Sequence, residues 1–409
     1  MGWTETCAVE ERLRFVLALE AGEESVSLTC RRFGISRKTG EKWRERYRLE
    51  GLGGLADRSR APLHRPIVVA EETWAECLAV RRAHPSWGPL KVRTWLERRD
   101  EDRRWPAASS IGLLFDREGL TVKRKLRRRA PPMTSPFGSV AEANETWCID
   151  FKGWFRTGDG WRCGPLTLSD AASRYLLRCQ ALGRDDGEHV WPVLEAAFRE
   201  YGLPLRLRSD NGAPFASTGA GGLSRLAVKV IKAGVLPERI EPGKPQQNGR
   251  LERLHLTLLQ DTATPPAKTL HAQARRFANF QRLYNDERPH QALKGKTPAQ
   301  AYAPSPRRFD GILREPTYEP DAIRRRVRTN GEIKCGARFV YIGAALKGEP
   351  VGLFEQEDGS RQVFYGPILL GRIEHKGERL VRPKRATRGL VDNPGGFPTI
   401  PPAQQQQQA

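Results

Sequence analysis

The chain has 409 residues, with Lys and Arg totalling 69 against 48 Asp and Glu, and its formal charge of +21 and pI near 10.1 point to a polyanionic partner, nucleic acid first. That length supports two or more domains, each with its own core. A mean hydropathy of −0.59 and the lack of any apolar run near the ~18 residues of a spanning helix argue against a membrane. The opening MGWTETCAVEERLR has neither the apolar stretch of a secretory signal nor the acid-poor composition of a transit peptide, so a cytoplasmic, nucleoid-associated protein is expected. The seven cysteines are odd in number, scattered and without a C-x-x-C pair, and the seven histidines show no zinc-finger spacing with them. Reduced thiols and no structural zinc are expected.

Val9, Leu13, Val16 and Leu17 repeat at helical spacing, and so do Val26, Cys30 and Phe33. Gly34-Ile35-Ser36 then supplies a turn, an apolar plug and an N-cap for a third helix over 37–48. Gly40, Trp43 and Tyr47 can face inward on it while Arg37, Lys38, Lys42 and Arg44 stay outside, as a recognition helix in a major groove requires. Residues 1–55 are therefore expected to be an all-α helix-turn-helix DNA-binding domain. The Gly-, Pro- and Arg-rich stretch that follows reads as a linker over 56–70, in which Arg58 and Arg60 suit a minor groove, although a plain tether explains them equally.

Helical patterns at 71–82, 89–98 and 107–118, with Trp74, Leu78, Val92, Leu96, Ile111 and Leu114 as apolar positions, suggest a second helical DNA-binding domain over 71–130. The basic run containing Lys123, Arg124 and Lys125 closes it and favours phosphate contact. From 140 to 305 short apolar runs alternate with helical ones, the pattern of an α/β domain: strands at 147–154, 166–169, 175–181 and 205–209, helices at 187–201, 223–233, 249–260 and 272–285. Four Gly- or Pro-bounded strands between 338 and 373 suggest a small antiparallel β-barrel over 320–380. A low-complexity, disordered tail is expected over 381–409, ending in Gln404 to Gln408.

Asp150 lies in the otherwise apolar strand Trp147-Cys148-Ile149-Asp150-Phe151, where a buried carboxylate needs a cation or hydrogen bonds to compensate it. Asp210 ends the next strong strand, in Arg208-Ser209-Asp210-Asn211-Gly212, where Asn-Gly turns the chain and lets the Asp point off the strand's carboxyl end. Glu252 opens a helix whose buried face is Leu251, Leu254 and Leu258, and it sits to the side of that face. Three hard carboxylates from two strand ends and a helix suit a pair of Mg²⁺ ions, or Mn²⁺, roughly 3.5–4 Å apart, acting on a phosphodiester. Asp170, between two strands, is more simply a turn-former and is left out.

Lys152, Lys244, Arg250, Arg253 and His255 are placed to hold flanking phosphates, with Asn211, Gln247 and Asn248 fixing the backbone. The competing readings are a solvated face for Arg250 and Arg253, a structural role for His255, and a packing corner for Arg288-Pro289-His290.

The blocks W-C-I-D-F, R-S-D-N-G-A-P-F and K-P-Q-Q-N-G-R-L-E-R, with residues 283–293 and the turn at Gly34 to Gly40, resemble bacterial insertion-sequence transposases with a retroviral-integrase-type Asp-Asp-Glu core. The resemblance covers about residues 8–300. It implies a ribonuclease H-like fold, Asp150, Asp210 and Glu252 as catalytic metal ligands, and cleavage at transposon ends followed by attack of a 3′-hydroxyl on target DNA. A homo-oligomer on double-stranded DNA is also implied, because two ends must be brought together. The 41 residues between Asp210 and Glu252 exceed the spacing of integrases, and retroviral-type N-terminal zinc ligands are missing. The rival readings are a domesticated, non-catalytic DNA-binding regulator and a structure-specific nuclease on the same fold.

Overall fold

A computed structural model describes residues 7–59, 69–121, 140–240, 249–374 and 379–382. The chain divides into two compact units, Met1–Val69 and Ala70–Ala409.

In the first unit, α1 (Ala8–Glu20), α2 (Val26–Arg32) and α3 (Arg37–Glu50) enclose a core of Phe15, Val16, Cys30, Trp43 and Leu55. Gly34, at φ 66°, makes the turn after α2, and the Ile35 amide donates to the Cys30 carbonyl at 3.0 Å. Ser36 caps α3 by accepting from the Thr39 amide at 3.1 Å. Gly40 lets α3 close on its neighbours, since a Cβ there would stand 2.4 Å from Cys30 Sγ and 2.8 Å from Phe15 Cζ. Leu17, read as a buried position, is 49% exposed. The inward stripe of α1 is centred on Phe15 and Val16, and one further 100° step turns Leu17 to solvent.

The second unit begins with α4 (Glu71–Ala83), α5 (Pro89–Arg99) and α6 (Ala108–Arg117) around their own core of Cys77, Val80, Trp87, Val92, Leu96, Trp105, Ile111, Leu114 and Phe115. Trp74 and Leu78 only flank this core, because Cys77 and Val80 hold the inward face of α4.

A ribonuclease H-like α/β core follows. Its strands are β1 (Thr146–Phe151), β2 (Phe155–Arg156), β3 (Arg162–Asp170), β4 (Leu176–Leu182), β5 (Arg206–Ser209) and β6 (Leu236–Arg239), ordered β2-β3-β1-β5-β6 with β4 on β3. β1, β3 and β4 pair antiparallel, whereas β1, β5 and β6 run parallel. One face packs α7 (Gly187–Tyr201) and α8 (Arg225–Lys232) on an apolar layer that includes Trp147, Ile149, Leu166, Leu168, Leu194 and Phe198. The other packs α9 (Gly249–Thr262) and α10 (Leu270–Arg282) on Cys148, Cys163, Cys179, Leu251, Leu254, Leu258 and Phe277. Asp170 is buried and accepts from the Ala172 and Ser173 amides and the Ser173 hydroxyl within its own turn, and from the Asn144 amide just before β1. After α10 a π-helical turn (Leu283–Glu287) leads to the short α11 (Pro298–Ala301).

The C-terminal strands are β7 (Ile323–Arg326), β8 (Glu332–Cys335), β9 (Arg338–Tyr341), β10 (Pro350–Glu355), β11 (Arg361–Tyr365), β12 (Ile368–Ile373) and β13 (Leu380–Val381). Among the described residues they form an open antiparallel sheet, β13-β12-β11-β10-β7, and a separate hairpin of β8 and β9, in place of the closed barrel read from the sequence. The hairpin folds Ile333 and Val340 onto the sheet's own core instead of bridging its edges. Helix α8 joins this sheet to the core: Leu226 and Val230 enter the central layer, while Ala227, Val228 and Ile231 enter the C-terminal one. Lys232 and Glu349 pair at 2.8 Å across that seam, and the Tyr365 hydroxyl donates to Glu349 at 3.0 Å. Among the described residues no helix is long and apolar enough to cross a membrane.

Candidate active site

Parallel pairing of β1 with β5 brings the carboxyl ends of two strands side by side, and the two aspartates lie there. Asp150 is the penultimate residue of β1 and faces Thr167 across β3; Asp210 follows the last residue of β5. The Asp210 carboxylate accepts from the Gly212 amide at 3.1 Å, folding back over its own turn. The fit is close, since a Cβ at position 212 would stand 3.0 Å from Asp210 Oδ2. Asn211 locks the turn to the neighbouring strand by donating to the Ile240 carbonyl at 2.7 Å.

Asp150 is pushed up to about 7, first by burial, then by the charge of Asp210, and least by Glu252, with a backbone hydrogen bond and Lys152 opposing. At neutral pH a carboxyl so placed is poised between its two states, and a divalent cation held by Asp150 and Asp210 would relieve the repulsion that raises it. Both residues fit such an ion in chemistry and position. Glu252, in the first turn of α9, is solvent-exposed. Among the described residues no three His, Cys, Asp or Glu side chains are gathered tightly enough to hold a metal. The parallel ladder sets the ends that carry the two aspartates side by side, and Glu252 is exposed on the first turn of α9.

His255 corrects an expectation. Placed by sequence among the DNA contacts, it is 2% exposed, one turn beyond Glu252 on the buried side of α9. Its Nε2 is 2.7 Å from Thr167 Oγ1 and its Nδ1 is 3.9 Å from Asp150 Oδ2. Burial, then Lys152, lowers it to about 4, so it is neutral near pH 7 and lies behind the carboxylate, out of reach of a phosphate. Thr167 was missed: its only signal is its register opposite Asp150, which a sequence does not display.

Lys152 lies beside the aspartate, and Arg253 is exposed on α9. Arg37, Lys38, Lys42 and Arg44 are all exposed along α3 in the first unit. Lys42 lies over the Trp43 ring at 4.1 Å, and Arg37 and Arg44 flank Glu41 at 3.9 and 4.0 Å. Arg58, read as a minor-groove contact, is paired with Glu50. Arg60, Lys123, Arg124, Lys125, Lys244, Gln247 and Asn248, the side chain of Arg250 and most of the tail fall outside the described residues.

Fold and site together define an α/β core with an acidic pair at the ends of adjacent parallel strands, behind helical modules with a basic face. Residues 140–245 and 233–298 each match an integrase core domain, residues 11–62 a helix-turn-helix domain, and residues 39–114 a homeodomain-like domain. An uncharacterized 31.7 kDa protein of insertion element IS407 from Burkholderia multivorans is 28% identical over 46% of this chain and 66% of its own length. An uncharacterized 39.2 kDa protein of insertion element IS476 from Xanthomonas euvesicatoria is 28% identical over 63% of this chain and 71% of its own. The chain thus covers just under two thirds of the first of these relatives. Similar solved structures include the catalytic core domain of BIV integrase, at 20% identity, 39% of this chain, 93% of that one and a TM-score of 0.31. Another is the HTLV-2 integrase catalytic core in complex with magnesium, at 15% identity, 40% of this chain, 99% of that one and a TM-score of 0.30. The chain carries an integrase core domain together with helix-turn-helix domains, and it is homologous to insertion-element proteins.

Proposed function

We propose that this protein is a DNA transposase that binds the inverted repeats at the ends of an insertion element and catalyses metal-dependent cleavage and strand transfer. The observation that carries the reading is Asp150, raised to about 7 by burial and by Asp210 beside it, with Glu252 on the facing helix. In the active complex Asp150, Asp210 and Glu252 are the ligands, and two Mg²⁺ or Mn²⁺ ions bound there would activate the attacking oxygen and stabilise the leaving one. Asp150 is held by the ladder to β3, with Thr167 and His255 filling the space behind it, and Gly212 fixes the direction of Asp210. Lys152 is placed to meet a phosphate beside Asp150, and the basic face of α3 is placed to read the repeat.

The division of labour is 1–55 and 71–130 binding DNA, 56–70 linking them, 140–305 performing the chemistry, and the open sheet and hairpin of 320–380 bracing α8. A homo-oligomer assembles on paired ends. The test is joining of a labelled 3′-hydroxyl duplex to a plasmid with Mg²⁺ supplied. Joined product that disappears on chelation supports the reading, and nicked but unjoined DNA refutes strand transfer.

A further inference from the structure

Just past Asp150 the chain carries an exposed indole on a bulge. The ladder between β1 and β3 sets Asp150 opposite Thr167 and Phe151 opposite Leu166, and the Lys152 amide then donates to the Pro165 carbonyl at 3.0 Å. Pairing resumes with Phe155 opposite Cys163 and Arg156 opposite Arg162. Gly153 and Trp154 therefore both stand opposite the single Gly164, and Gly153 has φ 64°, the left-handed position of a glycine bulge. A bulge shifts the alternation of side chains by one. Phe155 and Cys163 still pack into the layer beneath α9 and α10, while Trp154 is turned to the side of Arg156 and Arg162 and left 55% exposed.

Single apolar residues at a surface are ordinary, but Trp154 differs in what surrounds and supports it. The guanidinium carbons of Arg156 and Arg162 lie 5.8 and 5.6 Å from its ring centre. Each arginine is held in turn, Arg156 by the Gly160 carbonyl at 2.8 Å and Arg162 by Asp185 at 2.8 Å. The hairpin below is pinned as well: Thr157 is buried, and the Gly158 and Asp159 amides donate to the Ala267 and Lys268 carbonyls at 2.9 and 2.8 Å. A bare indole on a fixed support, with cations at its rim, matches an anion that has an aromatic face, which is the chemistry of an unpaired nucleotide. Four residues of chain span at most about 14 Å, so a base on Trp154 lies within roughly four stacked nucleotides of a phosphate at Asp150.

We propose that Trp154 stacks on an unpaired base of the DNA strand that passes the acidic pair. The inference rests on the transposase reading and adds a stacking contact to it. It is tested by anisotropy in the full chain with two fluorescent duplexes of random sequence, one blunt and one forked by a few unpaired nucleotides at its end. The wild type should bind the forked duplex at least about fivefold more tightly than the blunt one, and Trp154→Ala should abolish that preference. Blunt-duplex affinity and its salt slope should stay unchanged in Trp154→Ala, and Trp154→Phe should keep most of the preference. No preference in the wild type, or one that survives Trp154→Ala, overturns the proposal; survival together with slower sedimentation would assign the indole to a second copy of the chain instead. Equal loss on both duplexes overturns it too. So does equal loss from Trp161→Ala, which removes a 67%-exposed indole farther out on the same hairpin and would mark a general apolar surface. No arm reads joining: a wild type unable to join strands would sink the transposase reading, whereas lost fork selectivity with intact joining would sink this inference alone.

Discussion

The two helical modules are built alike, three helices each on a small aromatic-containing core, yet they carry their charge differently. On α3 the cations stand on an open face, loosely offset by Glu41 within the same helix. Where α4–α6 meets the core, Arg288 is buried 3.8 Å from Asp261 of α9 and 3.4 Å from Ser86. An open basic face is screened by water and salt and can wait for any polyanion. A cation buried at such a seam is already committed, because its charge is met by the carboxylate beside it.

The sharpest way to separate binding from chemistry is Asp150→Asn. It should lower joining by at least about a thousandfold while leaving duplex affinity near wild type, since the basic face of α3 survives. Full joining by this variant would show the acidic pair to be incidental. Next in size, Asp261→Ala leaves Arg288 buried without its carboxylate and should destabilise the second unit by about 3 kcal/mol. Hydrogen exchange should then speed up in α4–α6 and α9 with α1–α3 unchanged; equal protection throughout would mean that the seam does not hold the module.

Gly40→Ala probes the first module in the same way. A methyl driven against Cys30 and Phe15 should cost about 1–3 kcal/mol, lowering the melting temperature of α1–α3 and weakening DNA binding with no change in the acidic site. A neutral result would mean that the helix crossing relaxes freely. The smallest expected effect is from Ser36→Ala, about 1 kcal/mol, from loss of the cap on Thr39. Thermal unfolding of residues 7–59 alone is a suitable readout because that unit is compact by itself and carries its own core. No shift there would show that the hydroxyl contact to Thr39 carries no net stability.

Much of the helical architecture was legible because it is local. The turn at Gly34, the cap at Ser36 and the 3.6-residue stripes of α5 and α6 fall where the periodicity puts them. An error arose where one residue step decides the face, as with the exposed Leu17 next to the fully buried Val16. The C-terminal strands were visible as apolar runs, but whether they close is a matter of edge pairing, and the hairpin of β8 and β9 left both edges open.

The sequence by itself determined which residues are acidic at strand ends, which helix presents a basic face, and which α/β pattern surrounds them, since each depends on spacing within one element. Tertiary structure alone decided that Thr167 and His255 back Asp150, and that Arg288 is buried beside Ser86 and Asp261. Those partners lie between 17 and 202 residues apart in the chain, and only strand register and helix docking, which depend on the whole apolar pattern at once, bring them within reach of one another.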